Sequence, residues 1–268
     1  MTDSQATPKL SLIWSQTFEG VAGVRPDVKF WNHDLGDGSN HGIPGWGNEE
    51  REWYTDDSVA TDGNGNLIFT ATKLPEVNPY PAYYGKNAEW SSGKITTYKK
   101  VSIQYGRIEA KILGPIGAGT WPAFWMLGTD IAEVTWPNCG EIDILEMRGR
   151  DPHTLIGTIH GPGYCGEHGS GTEISTPDMS AEFHTFGVDW FEDRIDWHFD
   201  GVVYQTKTPE SVAPNEWVFN HEFYVILNLA MGGGFTGAID ENLTQATMAL
   251  AELNVYSIDG VGAVKFEA

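Results

Sequence analysis

The chain has 268 residues, 40% hydrophobic and 12% aromatic, with 37 acidic against 16 basic side chains and a formal charge of −21. That charge excludes nucleic acid, whose phosphates need clustered Lys and Arg, and it repels sulfated or uronate polymers over long range; a neutral polysaccharide meets no such barrier. No apolar run approaches the roughly 20 residues that span a bilayer, so no membrane partner is expected, and the start Met1-Thr2-Asp3-Ser4-Gln5 lacks the basic and apolar stretches of a signal peptide.

Residues 1–9 read as a disordered lead-in. With no Pro/Ser-rich linker to divide the rest, 10–268 read as one all-β domain. Leu10 to Phe18 is the first strand-like run. From Asn32 to Glu52 the chain is rich in Gly, Asn, Asp and His, a long surface loop. Asp62-Gly63-Asn64-Gly65-Asn66 has half the spacing of a calcium loop but lacks its distal Glu, and reads as a hairpin turn into Leu67 to Thr72. Tyr105 to Ile112 alternates as a strand with one wet face. Trp121 to Leu127 is more continuously apolar, which predicts a strand covered on both faces.

Gly140-Glu141-Ile142-Asp143-Ile144-Leu145-Glu146 places three acids in a short run of β-favouring apolar residues. On a regular strand Glu141 and Asp143 share a face and Ile142 and Ile144 point to the core. Glu146 would then face backwards. One extra residue near Ile144-Leu145, a β-bulge, would return it to the other two carboxylates. Clustered acids hold one carboxyl protonated and another ionised, which is what cleavage of a glycosidic bond requires. An acidic strand face in solvent gives the same alternation. The neighbouring Trp121, Trp125 and Trp136 favour a sugar cleft, because aromatic faces stack on the C–H faces of pyranose rings.

Further on, Arg194 to Phe199, Asp200-Gly201 and Val202 to Tyr204 spell a hairpin. Phe223 to Leu229 and Met248 to Tyr256 are expected to close the sheets. Many short strands and no long helical period imply a sandwich. Two cysteines, Cys139 and Cys165, are too few for a disulfide scaffold, and without C-x-x-C they suggest neither zinc nor redox chemistry. A bridge between them would contribute about 3 kcal/mol by loop entropy; two free thiols are the equal alternative.

The acid run, followed by Arg148-Gly149-Arg150 and Pro152, resembles the bulged signature of glycoside hydrolase family sixteen, the form typical of bacterial laminarinases. Similar blocks are Gly45-Trp46-Gly47-Asn48-Glu49, Tyr105 to Ala110, Trp121 to Trp125, Thr158-Ile159-His160-Gly161 and Ile226 to Ala230. The resemblance implies a concanavalin-like β-jelly roll of two curved antiparallel sheets with a concave cleft. It implies a retaining endo-β-1,3-glucanase with Glu141 as nucleophile, Glu146 as general acid/base, Asp143 between them and His160 in support. It further implies Trp121, Trp125 and Trp136 as sugar platforms, Asn48, Glu49 and Asn228 as hydroxyl binders, and a secreted, monomeric enzyme acting on a neutral β-glucan without a cofactor. Mixed-linkage β-1,3-1,4-glucanase and a non-hydrolytic glucan-binding lectin are the competing activities on the same fold. Three positions depart from the pattern. Thr17 and Ala251 stand where relatives carry the acidic ligands of a structural calcium, so that site is expected to be absent or weak. Lys94 replaces an Arg, and Phe235 a Trp.

Overall fold

The computed structural model describes residues 7–267; the first six residues of the expected lead-in lie outside the described residues, and 7–9 carry no regular structure. Strands provide nearly all the regular structure, joined by short turns and three four-residue helices, Ile131–Val134, Pro209–Val212 and Gly233–Thr236. They form two stacked sheets, the jelly-roll arrangement expected.

One sheet runs Ser170–Ser175, Asp151–His160, Glu141–Arg148, Thr120–Gly128, Phe223–Met231, Lys94–Thr96 and Asn32–His33, with Val101–Gln104 and Ala263–Phe266 joined at the side. The other runs Val202–Lys207, Ile195–Phe199, His184–Trp190, Gly106–Leu113, Gln245–Ile258, Leu67–Lys73, Trp90–Ser92 and Glu52–Tyr54, with Leu10–Thr17 and Val59–Thr61 attached. Neighbours are antiparallel except Glu52–Tyr54 and Trp90–Ser92, which run parallel. The two late strands do not close the sheets. Phe223–Met231 and Gln245–Ile258 sit inside them with partners on both sides, because their near-continuous burial suits a central position.

The core lies between the sheets. Ile142, Ile144, Leu145 and Met147 enter it from the acid strand, Phe124 and Met126 from the strand beside it, and Trp190, Trp197 and Phe186 from the facing sheet. Trp121 to Leu127 differs from expectation: one face is core, but Trp121 and Trp125 are only half-buried on the other. The predicted hairpin forms, with Asp200 at φ 49° and Gly201 at φ 76°, the left-handed pair that a two-residue turn between twisted strands demands. In the Asp62 turn the carboxylate accepts the Asn64 and Asn66 backbone N–H groups and the Asn66 side-chain amide, consuming its oxygens as a turn would.

Candidate active site

The acid strand carries the expected extra residue. Against one neighbour, Asp143 faces Thr158 and Glu146 faces Ile156, three steps against two. Against the other, Asp143 faces Trp125 and Leu145 faces Phe124, two steps against one. Ile144 is the residue without a counterpart, and both Ile144 and Leu145 turn into the core. Odd-numbered side chains face out before the bulge and even-numbered ones after it. Glu141, Asp143 and Glu146 therefore share the outer face. A bulge interrupts the ladder locally; here the Asp143 carbonyl is taken by the facing sheet, where the buried Trp197 Nε1 donates to it at 2.8 Å.

Around the carboxylates the donors are few. Trp136 Nε1 donates to Glu141 Oε2 at 2.6 Å. His160 stands opposite Glu141 in the ladder, and its Nε2 lies 3.1 Å from Asp143 Oδ2. Burial, followed by the negative charge of Asp143, raises Glu141 to about 8. Burial and then Glu141 raise Glu146 to about 7. Burial and then Glu146 hold Asp143 well above the usual carboxylate range. Like charges so close cannot all ionise, and the protons belong to the trio rather than to one carboxyl. The donors bias their placement: the Trp136 bond favours an ionised Glu141, whereas Trp121 Nε1 leans towards Glu146 without making a full hydrogen bond. Ligating atoms of Glu141, Asp143 and His160 all lie within 4.8 Å of one another, so the same three side chains are close enough to hold a cation.

The remaining predicted residues divide. Trp121, half-buried, stacks on Phe235 at 4.5 Å, and the Arg148 guanidinium lies 4.3 Å from the other ring of that pair, Phe235. Trp125 sits opposite Asp143 and donates its Nε1 to Asn228 Oδ1 at 2.8 Å. Asn228, 6% exposed, spends its other amide end on Tyr54. It is therefore a brace for Trp125. Asn48 turns its amide nitrogen to Glu50 Oε1 at 3.0 Å. Glu49, at φ 62°, lines a depression of about 580 Å³ with Arg51, Tyr83 and Gly233. Lys94 is buried, with Nζ 3.8 Å from the Trp46 ring centre, 5.3 Å from that of Trp125 and 3.5 Å from Asp34.

Sequence reasoning missed Glu50, Tyr54 and Trp197. The alternation of Glu50, Glu52 and Tyr54 was a usable sign of a common face. Nothing local marked Trp197. Both thiols are free, Cys139 buried and Cys165 partly so. Of the two alternatives, the bridge is the one that does not form. Cys139 packs instead with Leu127, Tyr224 and Ile226.

Comparison with known proteins reaches the same place by another route. Residues 47–249 match the glycosyl hydrolases family 16 profile. The chain belongs to that family. This family 16 chain is similar to the catalytic domain of an endo-1,3-beta-glucanase (laminarinase) from Thermotoga petrophila, with 41% identity and a TM-score of 0.87 over 94% of this chain and 99% of that one. It is 35% identical to glucan endo-1,3-beta-glucosidase A1 of Niallia circulans across 92% of its own length but only 38% of that protein. It is 33% identical to a beta-glucanase of Rhodothermus marinus across 94% of this chain and 87% of the other. Among the described residues of the family 16 chain, no helix is long and apolar enough to cross a membrane.

Proposed function

We propose that the chain is a retaining endo-glycoside hydrolase that cuts internal β-1,3-glucosidic bonds of laminarin-type glucans by double displacement. One observation carries the reading: the bulge at Ile144 puts Glu146 on the face of Glu141 and Asp143. Carboxylates brought together on one strand suit direct attack, whereas an inverting pair stands further apart to admit a water between them.

In the first step Glu146 gives its proton to the glycosidic oxygen as that bond breaks, and a Glu141 oxygen bonds to the anomeric carbon. In the second, Glu146 takes a proton from water, the water oxygen displaces Glu141 from the same carbon, and the configuration is retained. Asp143, with a carboxylate oxygen within 4.8 Å of Glu141 and 3.1 Å from His160 Nε2, governs how the trio shares its protons. Trp121, Trp125 and Trp136 supply the ring faces of the cleft, and the charge of −21 suits a neutral chain.

No cofactor takes part in this chemistry. Calcium takes six to eight oxygen ligands; Thr17 and Ala251 contribute no carboxylate, so the calcium position that the resemblance implies is weak or lost here. The enzyme acts as a secreted monomer, with residues 10–268 as one catalytic unit.

The deciding experiment is product analysis on laminarin, lichenan and κ-carrageenan side by side, with NMR of the first-formed anomer. Laminarin is expected to be cut internally with β products. Preference for lichenan would give the mixed-linkage reading, and binding without cleavage the lectin one. Glu141→Ala and Glu146→Ala are each expected to lose hydrolysis while keeping binding; near-normal turnover in either would refute the assignment.

A further inference from the structure

A second set of buried carboxylates stands behind the cleft. Glu50, Glu52 and Tyr54 are 5%, 1% and 1% exposed. Glu52 Oε2 accepts the Met231 N–H at 2.8 Å, while its other oxygen has no hydrogen-bond partner. Burial, reinforced by the charge of Glu50, raises Glu52 well above the usual range, so Glu52 keeps its proton. Glu50 faces donors only: Tyr54 Oη at 3.2 Å and Asn48 Nδ2 at 3.0 Å. Glu50 is therefore the acceptor in both bonds.

That acceptor sets a direction for every bond beyond it. Tyr54 gives its one proton to Glu50, so its oxygen accepts, and Asn228 Nδ2 donates to it at 3.2 Å. With its nitrogen committed, Asn228 presents Oδ1 to Trp125 Nε1 at 2.8 Å. A reversed amide would set N–H against N–H at Trp125 and oxygen against oxygen at Tyr54. The chain thus runs from Glu50 through Tyr54 and Asn228 to an aromatic ring whose ladder partner is Asp143. The Lys94 ammonium restrains that ring's face, which leaves the N–H bond to fix its in-plane orientation.

We propose that Glu50 and Tyr54 are positioning residues that act through Asn228 to fix the Trp125 ring as a sugar platform beside the catalytic carboxylates. This rests on the β-glucanase reading above. A platform acts on binding more than on bond cleavage, so the two residues control KM and leave kcat largely alone. They touch neither substrate nor the reacting atoms.

The test compares wild type with Tyr54→Phe and Glu50→Gln. The readouts are kcat and KM on laminarin, calorimetric binding of laminarihexaose in a Glu146→Gln background, and the Trp125 indole ¹⁵N–¹H resonance, assigned by Trp125→Phe. Loss of one directional hydrogen bond should weaken binding and raise KM about fivefold, leave kcat within about twofold, and move the indole resonance of the free protein. Unchanged KM, binding and resonance in folded Tyr54→Phe would overturn the proposal. So would a fall in kcat with KM unaltered. Should Tyr54→Phe not fold, Glu50→Gln is read by the same criteria. If the wild type neither cuts nor binds laminarin, the β-glucanase reading fails, and an unmoved resonance is then what overturns the positioning chain.

Discussion

Trp197 and Asp143 belong to opposite sheets, and the indole N–H of the first donates to the backbone carbonyl of the second at 2.8 Å, at the residue where the acid strand bulges. Asp143 also precedes the inserted Ile144, so this bond anchors the point from which Glu146 is re-aimed.

Trp197→Phe keeps an aromatic ring in the core but removes the donor. Orphaning a buried carbonyl costs about 1–3 kcal/mol, and the melting temperature should fall accordingly. If the bond also holds the bulge, kcat on laminarin should fall at least tenfold with little change in KM, since misplacing an acid harms the reaction rather than sugar binding. Calorimetry and initial-rate kinetics read the two effects separately. A lower melting temperature with normal kcat would make Trp197 a packing residue only.

The raised carboxyls of the cleft make stability depend on pH, and the sign follows from proton counts. Unfolded, the three acids titrate near the ordinary carboxylate value; folded, the trio holds shared protons up to about 7 to 8, with Trp136 drawing the ionised share to Glu141. Between those values the native state holds more protons than the unfolded one, so stability falls as pH rises through that window. Glu141→Gln removes the buried ionisation. It should melt above wild type at pH 8 and alongside it at pH 4, where both carry a neutral group. Wild-type activity should decline as pH rises past about 7, where Glu146 loses the proton it donates.

The two thiols should behave differently. Cys139 is fully buried and burial raises its thiol to about 12, so it offers neither access nor thiolate. Mass spectrometry after iodoacetamide should show one modified cysteine, Cys165, in the native protein and two after denaturation without reductant. None in the denatured protein would indicate a bridge, which consumes both thiols.

Thr17 and Ala251 supply no carboxylate where the family pattern has two, and calcium held by the oxygens that remain would be weak. A melting temperature unchanged by EDTA, and unchanged again on adding calcium, is expected. A large drop in chelator would show that other oxygens complete the site.

What the sequence determined by itself was whatever repeats along the chain with the period of a strand. The alternation of Glu141, Ile142 and Asp143 gives one cleft face and one core face, and the parity of Glu146 joins them only through an extra residue, which the bulge supplies. The Asp200-Gly201 turn was legible for the same reason, because neighbours in sequence dictate backbone shape; the apolar run Trp121 to Leu127 instead read as covered on both faces, whereas Trp121 and Trp125 are half-buried on one. The tertiary structure alone decided which distant groups meet. Trp197 reaches Asp143 across the core, Asn228 meets Tyr54 from 174 residues away, Lys94 slots between Trp46 and Trp125, and Cys139 turns to Leu127 rather than to a second sulfur. These pairings depend on how two twisted sheets stack and on which side-chain volumes fill the space between them, and no local pattern encodes that register.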